Sequence, residues 1–347
     1  MSAAKTEAEA DAGIPHPRET NVLFGHAEAE AVLLEAYRSG RIPHAWLIGG
    51  EPGIGKATLA YRLARFVLAH PDPAAPAVQK ARSLTVAADH PVARRIAAQA
   101  QPDLLVLERT LNEKGKLRQD IAVDDVRRSV GFFGSTAGEG GWRVAIVDSV
   151  DELNRFGTNA LLKVVEEPPP RALLLLVSHA PGRVLPTIRS RCRLLTLRPL
   201  AADEVAQAAA VALDDKPDDK DILAAAAVAE GSVGRALMFL EGDALELRQQ
   251  VIDLLDRLPQ LDPRALHDLG DELAGVEAEP LLAFMETVNS WLSARLAKGP
   301  QDAARMARLA EAWEKVNAAG NDAEEYNLDR KPLVFTVFGA LAEAVRG

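Results

Sequence analysis

The segment Gly49-Gly50-Glu51-Pro52-Gly53-Ile54-Gly55-Lys56-Ala57-Thr58 has the residue types and spacing of a phosphate cradle: Gly50, four residues, then Gly55-Lys56. Glycines let backbone N–H groups close around phosphate oxygens, a following helix adds positive potential, and a lysine pairs with the terminal phosphates. The candidates for nucleotide contact are Gly50, Gly53, Gly55 and Lys56, with Thr58 and Asp148 as further members. The position after the lysine ordinarily carries a hydroxyl that ligates magnesium. Here it is Ala57, and Thr58 comes one residue late, turned by about 100° if the segment is helical. A second signature, Arg143-Val144-Ala145-Ile146-Val147-Asp148, reads as a strand ending in a carboxylate. A hydrolysing enzyme of this type follows that Asp with Glu, whereas this chain has Ser149, with Asp151 and Glu152 beyond the strand end. Two missing parts predict little or no ATP hydrolysis. The loop itself stays open to two alternatives: ATP or ADP held without hydrolysis, or a shape retained with Lys56 solvated or paired to a carboxylate.

These residues need a sheet to carry them. Strands are predicted at Ala45–Gly49, Leu104–Leu107, Val144–Asp148, Leu173–Ser178 and Arg193–Leu197, with helical stretches between them. Leu173-Leu174-Leu175-Leu176-Val177 is apolar at every residue, which suits a strand buried on both faces in a parallel sheet with helices on each side. A helix is expected from Thr58 to about Ala69, another over Asn159–Glu167 closed by prolines, and Gly131–Gly141 is expected as a loop. After Arg198-Pro199-Leu200 the strand signals stop. Helices are predicted at Ala202–Leu213, Asp221–Glu230 and Val233–Leu240, and the pattern stays helical from about Ala244 onward. Turn signals fall at Leu258-Pro259, Leu261-Asp262-Pro263 and Lys298-Gly299-Pro300, and Trp291 with Leu292 and Trp313 with Val316 are spaced as helix core. The expected organisation is a flexible lead-in over 1–20, an α/β domain over 21–200, a small helical lid over 201–242 and an all-helical domain over 243–347.

Composition narrows the partners. The 347 residues hold 50 acidic and 40 basic side chains, a formal charge of −10, which argues against a chain that coats nucleic acid by bulk charge. A hydrophobic share of 48% with 26% charged residues is that of a globular protein. The longest apolar run, Ile222–Ala229, is far short of the roughly 20 residues that span a bilayer, and Met1–Pro17 has no signal-peptide pattern, so a soluble, cytoplasmic chain with no membrane contact is expected. One cysteine, Cys192, excludes an intramolecular disulfide and reads as a small buried hydrophobe.

Two further stretches carry a resemblance. Asn159-Ala160-Leu161-Leu162-Lys163-Val164-Val165-Glu166-Glu167-Pro168-Pro169, followed by Ser190-Arg191-Cys192, is similar to the clamp-loader branch of the AAA+ proteins. Within that branch, Gly40-Arg41-Ile42-Pro43-His44-Ala45-Trp46-Leu47 and Gly53–Arg62 most resemble the non-motor subunits of the bacterial DNA polymerase III clamp loader, in the form found in alphaproteobacteria. The similarity covers about Asn21–Leu240 well and the C-terminal helices loosely. It implies an AAA+ (P-loop NTPase-like) α/β fold with a helical lid and an all-α collar for oligomerisation. It implies a stator in DNA replication, part of a DNA-directed DNA polymerase holoenzyme (a nucleotidyltransferase assembly). In that family Arg191 is the arginine finger, acting in trans on a neighbour's ATP. The implied partners of this hetero-oligomer are the gamma/tau motor subunits, the clamp-opening delta subunit, the sliding clamp and primed DNA. The alternative is an active motor subunit of the same loader, against which Ala57 and Ser149 count. Many relatives carry four zinc-binding cysteines after the first helix; this chain has none there and a short helix is expected near Asp89-His90-Pro91, so no zinc is predicted. Active motors also place a sensor arginine where this chain has Gly234; Arg235, one position later, reads as a solvated helix residue in preference to a displaced sensor.

Overall fold

A computed structural model describes residues 15–111, 118–134, 141–274, 279–297, 303–326 and 328–346. Five strands form one parallel sheet: β1 Ala45–Gly49, β2 Leu104–Glu108, β3 Arg143–Asp148, β4 Ala172–Ser178 and β5 Arg193–Thr196, in the order β2-β3-β4-β1-β5. All residues of β1 and β4 are buried, whereas most of β5, at one edge, is exposed. The continuous apolar runs therefore mark the inner strands, as helices covering both faces require.

Around the sheet run α1 Ala27–Arg38, α2 Lys56–Ala69, α3 Pro76–Lys80, α4 Pro91–Ala97, α5 Val123–Gly134, α6 Arg155–Glu166 and the short α7 Pro186–Arg189. Then come α8 Ala202–Leu213, α9 Lys220–Val228 and α10 Val233–Phe239. The expected loop over Gly131–Gly141 is corrected at its start. Helix α5 continues to Gly134 because Phe133 is buried in the sheet's core, and residues 135–140 lie outside the described residues. Helix α6 begins four residues before the expected stretch, where the Asn154 side chain accepts from the N–H groups of Phe156 and Gly157 at 3.1 and 3.0 Å. Such a cap satisfies donors that a helix start leaves open.

Helix α2 is buried along nearly its whole length, two arginines included. Arg62 gives Nε and Nη2 to Glu30 Oε1 at 3.0 and 2.5 Å, Nη1 to the carbonyl of Asn21, and Nη2 to Thr85 Oγ1 at 3.0 Å. Arg65 Nη2 donates to the carbonyl of Arg18 at 2.8 Å, and burial pushes its pKa down to about 10. Residues 1–14 of the expected lead-in lie outside the described residues; from Arg18 to Asn21 the chain is tied to α2 by these two guanidinium groups.

The chain divides into two compact units, Met1–Ala236 and Leu237–Gly347. The second is built from α11 Ala244–Asp256, α12 Pro263–Glu272, α13 Glu279–Ala297, α14 Ala303–Glu325 and α15 Arg330–Arg346 around a core that includes Val251, Phe284, Leu292, Val316, Val337 and Phe338. The turn signals at Leu258-Pro259 and Asp262-Pro263 fall between α11 and α12, and Lys298-Gly299-Pro300 lies outside the described residues. Trp313 Nε1 donates to Asn289 Oδ1 at 2.6 Å, inside a pair of amides exchanged between Asn289 and Asn317 at 3.1 Å. Among the described residues no helix is long and apolar enough to cross a membrane.

Candidate functional site

The register places the site. Gly49 is level with Ser178 on β4, and Asp148 follows Val147, which is level with Leu176. The carboxyl ends of β1, β3 and β4 therefore converge, and the glycine loop opens there, where parallel α/β sheets bind ligands. Gly50, Gly53 and Gly55 have φ of 149°, 72° and 98°, values that side-chain-bearing residues rarely adopt. Helix α2 starts at Lys56, so Ala57 and Thr58 lie in its first turn, one helical step apart.

Lys56 is 3% exposed, and its Nζ donates to the carbonyl of Glu51 within the same loop. Burial lowers its pKa to about 8 against the opposing pull of Asp148, Asp151 and Glu51. Asp148 thus joins the loop electrostatically. Ser149 is buried, and its hydroxyl has no hydrogen-bond partner among the described residues. A serine there cannot take the proton of an attacking water as a carboxylate can. The carboxylates beyond the strand are engaged elsewhere. Asp151 accepts from Ser178 Oγ at 2.9 Å and from the His179 N–H at 2.5 Å, and Glu152 stands 3.0 Å from Arg109 Nε.

The loop is also clasped from outside. Ser232 Oγ donates to the carbonyl of Pro52 at 2.9 Å, and the Gly234 N–H donates to the carbonyl of Gly53 at 3.1 Å. A Cβ on Gly234 would stand 3.1 Å from Gly53 Cα, and one on Gly53 would collide with Ser232 Oγ. Gly234 is therefore where this chain packs backbone on backbone, in the place the resemblance assigns to a sensor arginine. Arg235 is not free in solvent: its Nη1 pairs with Glu230 Oε2 at 2.8 Å, with the side chain largely covered. No hydroxyl stands beside Lys56, no carboxylate follows Asp148, and the lysine and two loop carbonyls are bonded within the chain. The sequence signals for Ser232, Asp151 and Ser178 were weak, since each acts through a partner distant in the chain.

Arg191 belongs to the other end of the sheet. It precedes β5, whose first residue Arg193 is level with Trp46, while the loop begins beyond Gly49, level with Thr196. Three strand steps, about 10 Å, separate these levels. Arg191 follows α7, its Nη1 donates to the carbonyl of Thr187 at 3.0 Å, and its Nη2 stands 3.1 Å from Glu166 Oε1 with the arginine side chain 40% exposed. Cys192 beside it is half-buried against the sheet's core, and burial raises its pKa to about 11. The stretch expected as a helix near Asp89-His90-Pro91 is α4, with His90 Nδ1 accepting from the Val92 N–H at 3.2 Å. Among the described residues no three His, Cys, Asp or Glu side chains gather as a metal site.

A parallel sheet carrying a glycine loop between β1 and α2, covered by helices, is the α/β fold of the P-loop NTPase-like class. Residues 25–201 match the family described as DNA polymerase III, delta subunit, and the chain belongs to that family. It is 40% identical over 149 residues to the DNA polymerase III subunit delta' of Pseudomonas aeruginosa, covering 43% of this chain and 41% of that protein. It is 31% identical over 223 residues to the DNA polymerase III subunit delta' of Escherichia coli, covering 64% and 62%. A DNA polymerase III subunit gamma/tau of Mycobacterium bovis is 30% identical over 276 residues, covering 77% of this chain and 44% of that protein. In each case the match spans less than two thirds of the relative's length.

Proposed function

We propose that this chain is the non-motor, delta-prime-type subunit of a bacterial DNA polymerase III clamp loader, which lends Arg191 to the ATP site of a neighbouring subunit and does not itself hydrolyse ATP. The observation that carries this reading is the placement of Arg191. It is exposed at the amino end of the sheet, about 10 Å of strand away from the level of its own loop. That separation from its own loop supports a role toward another molecule's phosphates. An arginine finger neutralises charge developing on the transferred phosphoryl group, with effects of about 10³–10⁵ in rate for GTPases. The clasped loop supports the same reading, since a subunit that only lends a residue needs no cycle of its own. The partners that follow are gamma/tau motor subunits, the clamp-opening delta subunit, the sliding clamp and primed DNA, with DNA held by the assembly.

Reconstitution with these partners tests the proposal through ATP turnover. The isolated chain is expected to be silent, and Arg191→Ala is expected to remove one motor site's share of the loader's turnover. Unchanged turnover with Arg191→Ala refutes the trans role. The match to the gamma/tau relative, which covers more of this chain, favours a second reading as an active motor. ATP hydrolysis by the isolated chain would establish it.

A further inference from the structure

We infer that Glu166 is a positioning residue that holds Arg191 in its outward pose, so that the guanidinium meets a neighbour's phosphate already oriented. This rests on the trans role proposed above. The stretch from Arg183 to Arg198 carries five arginines and no acidic residue. Among the described residues Arg191 alone of the five makes an ion pair, and its partner is Glu166, 3.1 Å away. Glu166 is the last residue of α6, whose Leu161, Val164 and Val165 are buried in the sheet's core, and three prolines from Pro168 onward prevent the helix from continuing. The carboxylate is thus anchored to the core through a rigid element. The second anchor, the Thr187 carbonyl, belongs to α7, which ends two residues before the arginine.

The two anchors take one N–H from each terminal nitrogen. A guanidinium has five N–H donors in a fixed fork; Nη1 also reaches Ser190 Oγ at 3.5 Å, so Nε and the second N–H of Nη2 are the donors left for a phosphate. A surface arginine without such a hold samples many rotamers, and freezing it when the phosphate arrives adds to the barrier. Glu166 meets that cost during folding. Its charge partly offsets that of Arg191, with Arg189 and Arg193 two residues away on either side in sequence.

The experiment uses the full chain in the reconstituted loader and the free chain in solution. Glu166→Ala is expected to lower the Arg191-dependent part of kcat by about two- to fivefold, the scale of an exposed ion pair, with KM for ATP unchanged. Glu166→Gln, which keeps an acceptor oxygen at the same reach, is expected to recover most of that loss. On an Arg191→Ala background Glu166→Ala should change nothing further. In the free chain, arginine-selective nitrogen NMR should show the Arg191 side chain ordered in the wild type and averaged in Glu166→Ala. Identical Arg191 spectra in both proteins overturn the inference, as does an equal loss with and without Arg191, which would make Glu166 a structural residue. A rise in kcat overturns it too, because Glu166 would then compete with phosphate. If Arg191→Ala lowers turnover and Glu166→Ala does not, the positioning role alone fails; if Arg191→Ala changes nothing, the trans role fails and takes this inference with it.

Discussion

Replacing Lys56 by Met separates a loop that works from one that is kept for its shape. In a working phosphate loop the lysine is indispensable. In this chain it is 3% exposed and spends its charge on the carbonyl of Glu51. Its pKa falls from 10.5 to about 8, mainly through burial. At about 1.4 kcal/mol for each tenfold change in the proton equilibrium, holding the charge costs about 3 kcal/mol relative to the neutral amine. The amine's hydrogen bond, worth about 1 kcal/mol, is lost in the variant. Lys56→Met should therefore stabilise the Met1–Ala236 unit by about 2 kcal/mol at pH 7, or roughly 4–8 °C in Tm for a unit of this size. Between pH 8 and 10.5 the unfolded chain keeps the Lys56 proton while the folded chain has released it. The unfolded state binds more protons there, so wild-type stability attributable to Lys56 rises with pH and the variant's advantage shrinks. The assay is thermal or urea unfolding of both proteins at pH 7 and at the highest pH the fold tolerates, beside ATP turnover of the loader rebuilt with each. A variant that is less stable at pH 7, or an advantage that does not shrink above pH 8, refutes the argument from burial. Lost loader turnover with the variant would refute the silent loop.

Two other substitutions test how the site is held. Glu30→Ala leaves Arg62 buried without its carboxylate, which should cost about 3–5 kcal/mol in urea unfolding; a loss below 1 kcal/mol would mean that Asn21 and Thr85 suffice for the guanidinium. Gly53→Ala puts a Cβ against Ser232 in a backbone of φ 72° and should cost about 1–3 kcal/mol, with faster amide exchange at Gly234 as the clasp opens; unchanged exchange would show that the contact carries no stability.

The five strands were legible because parallel strands under helices on both faces must be apolar along their length, and Leu173–Val177 is plain in that respect. The loop was legible because Gly50, Gly55 and Lys56 are close in sequence and each has one physical reason to be there. So were its defects, Ala57 and Ser149, since each is a missing functional group in a fixed place. The end of α5 was not, because glycines at 131 and 134 read as a loop while Phe133 is drawn into the core by residues far along the chain. Arg235 shows the same limit: a charged residue on a helix reads as solvated until Glu230 is found beside it.

What the order of residues determined by itself is local: periodicity, glycine spacing, prolines that stop α6, and the identities of Ala57 and Ser149 after Lys56 and Asp148. What the tertiary structure decided is which distant groups meet. The register of β1 with β4 and β5 puts the loop and Arg191 at opposite ends of one sheet. The return of the chain at Ser232–Gly234 closes the loop's outer side, and the packing of α6 on the sheet brings Glu166 to Arg191. The physical reason is that hydrogen bonds and ion pairs act over about 3 Å in space. Sequence separation sets no such distance, so only burial and strand register can say which side chains come within it.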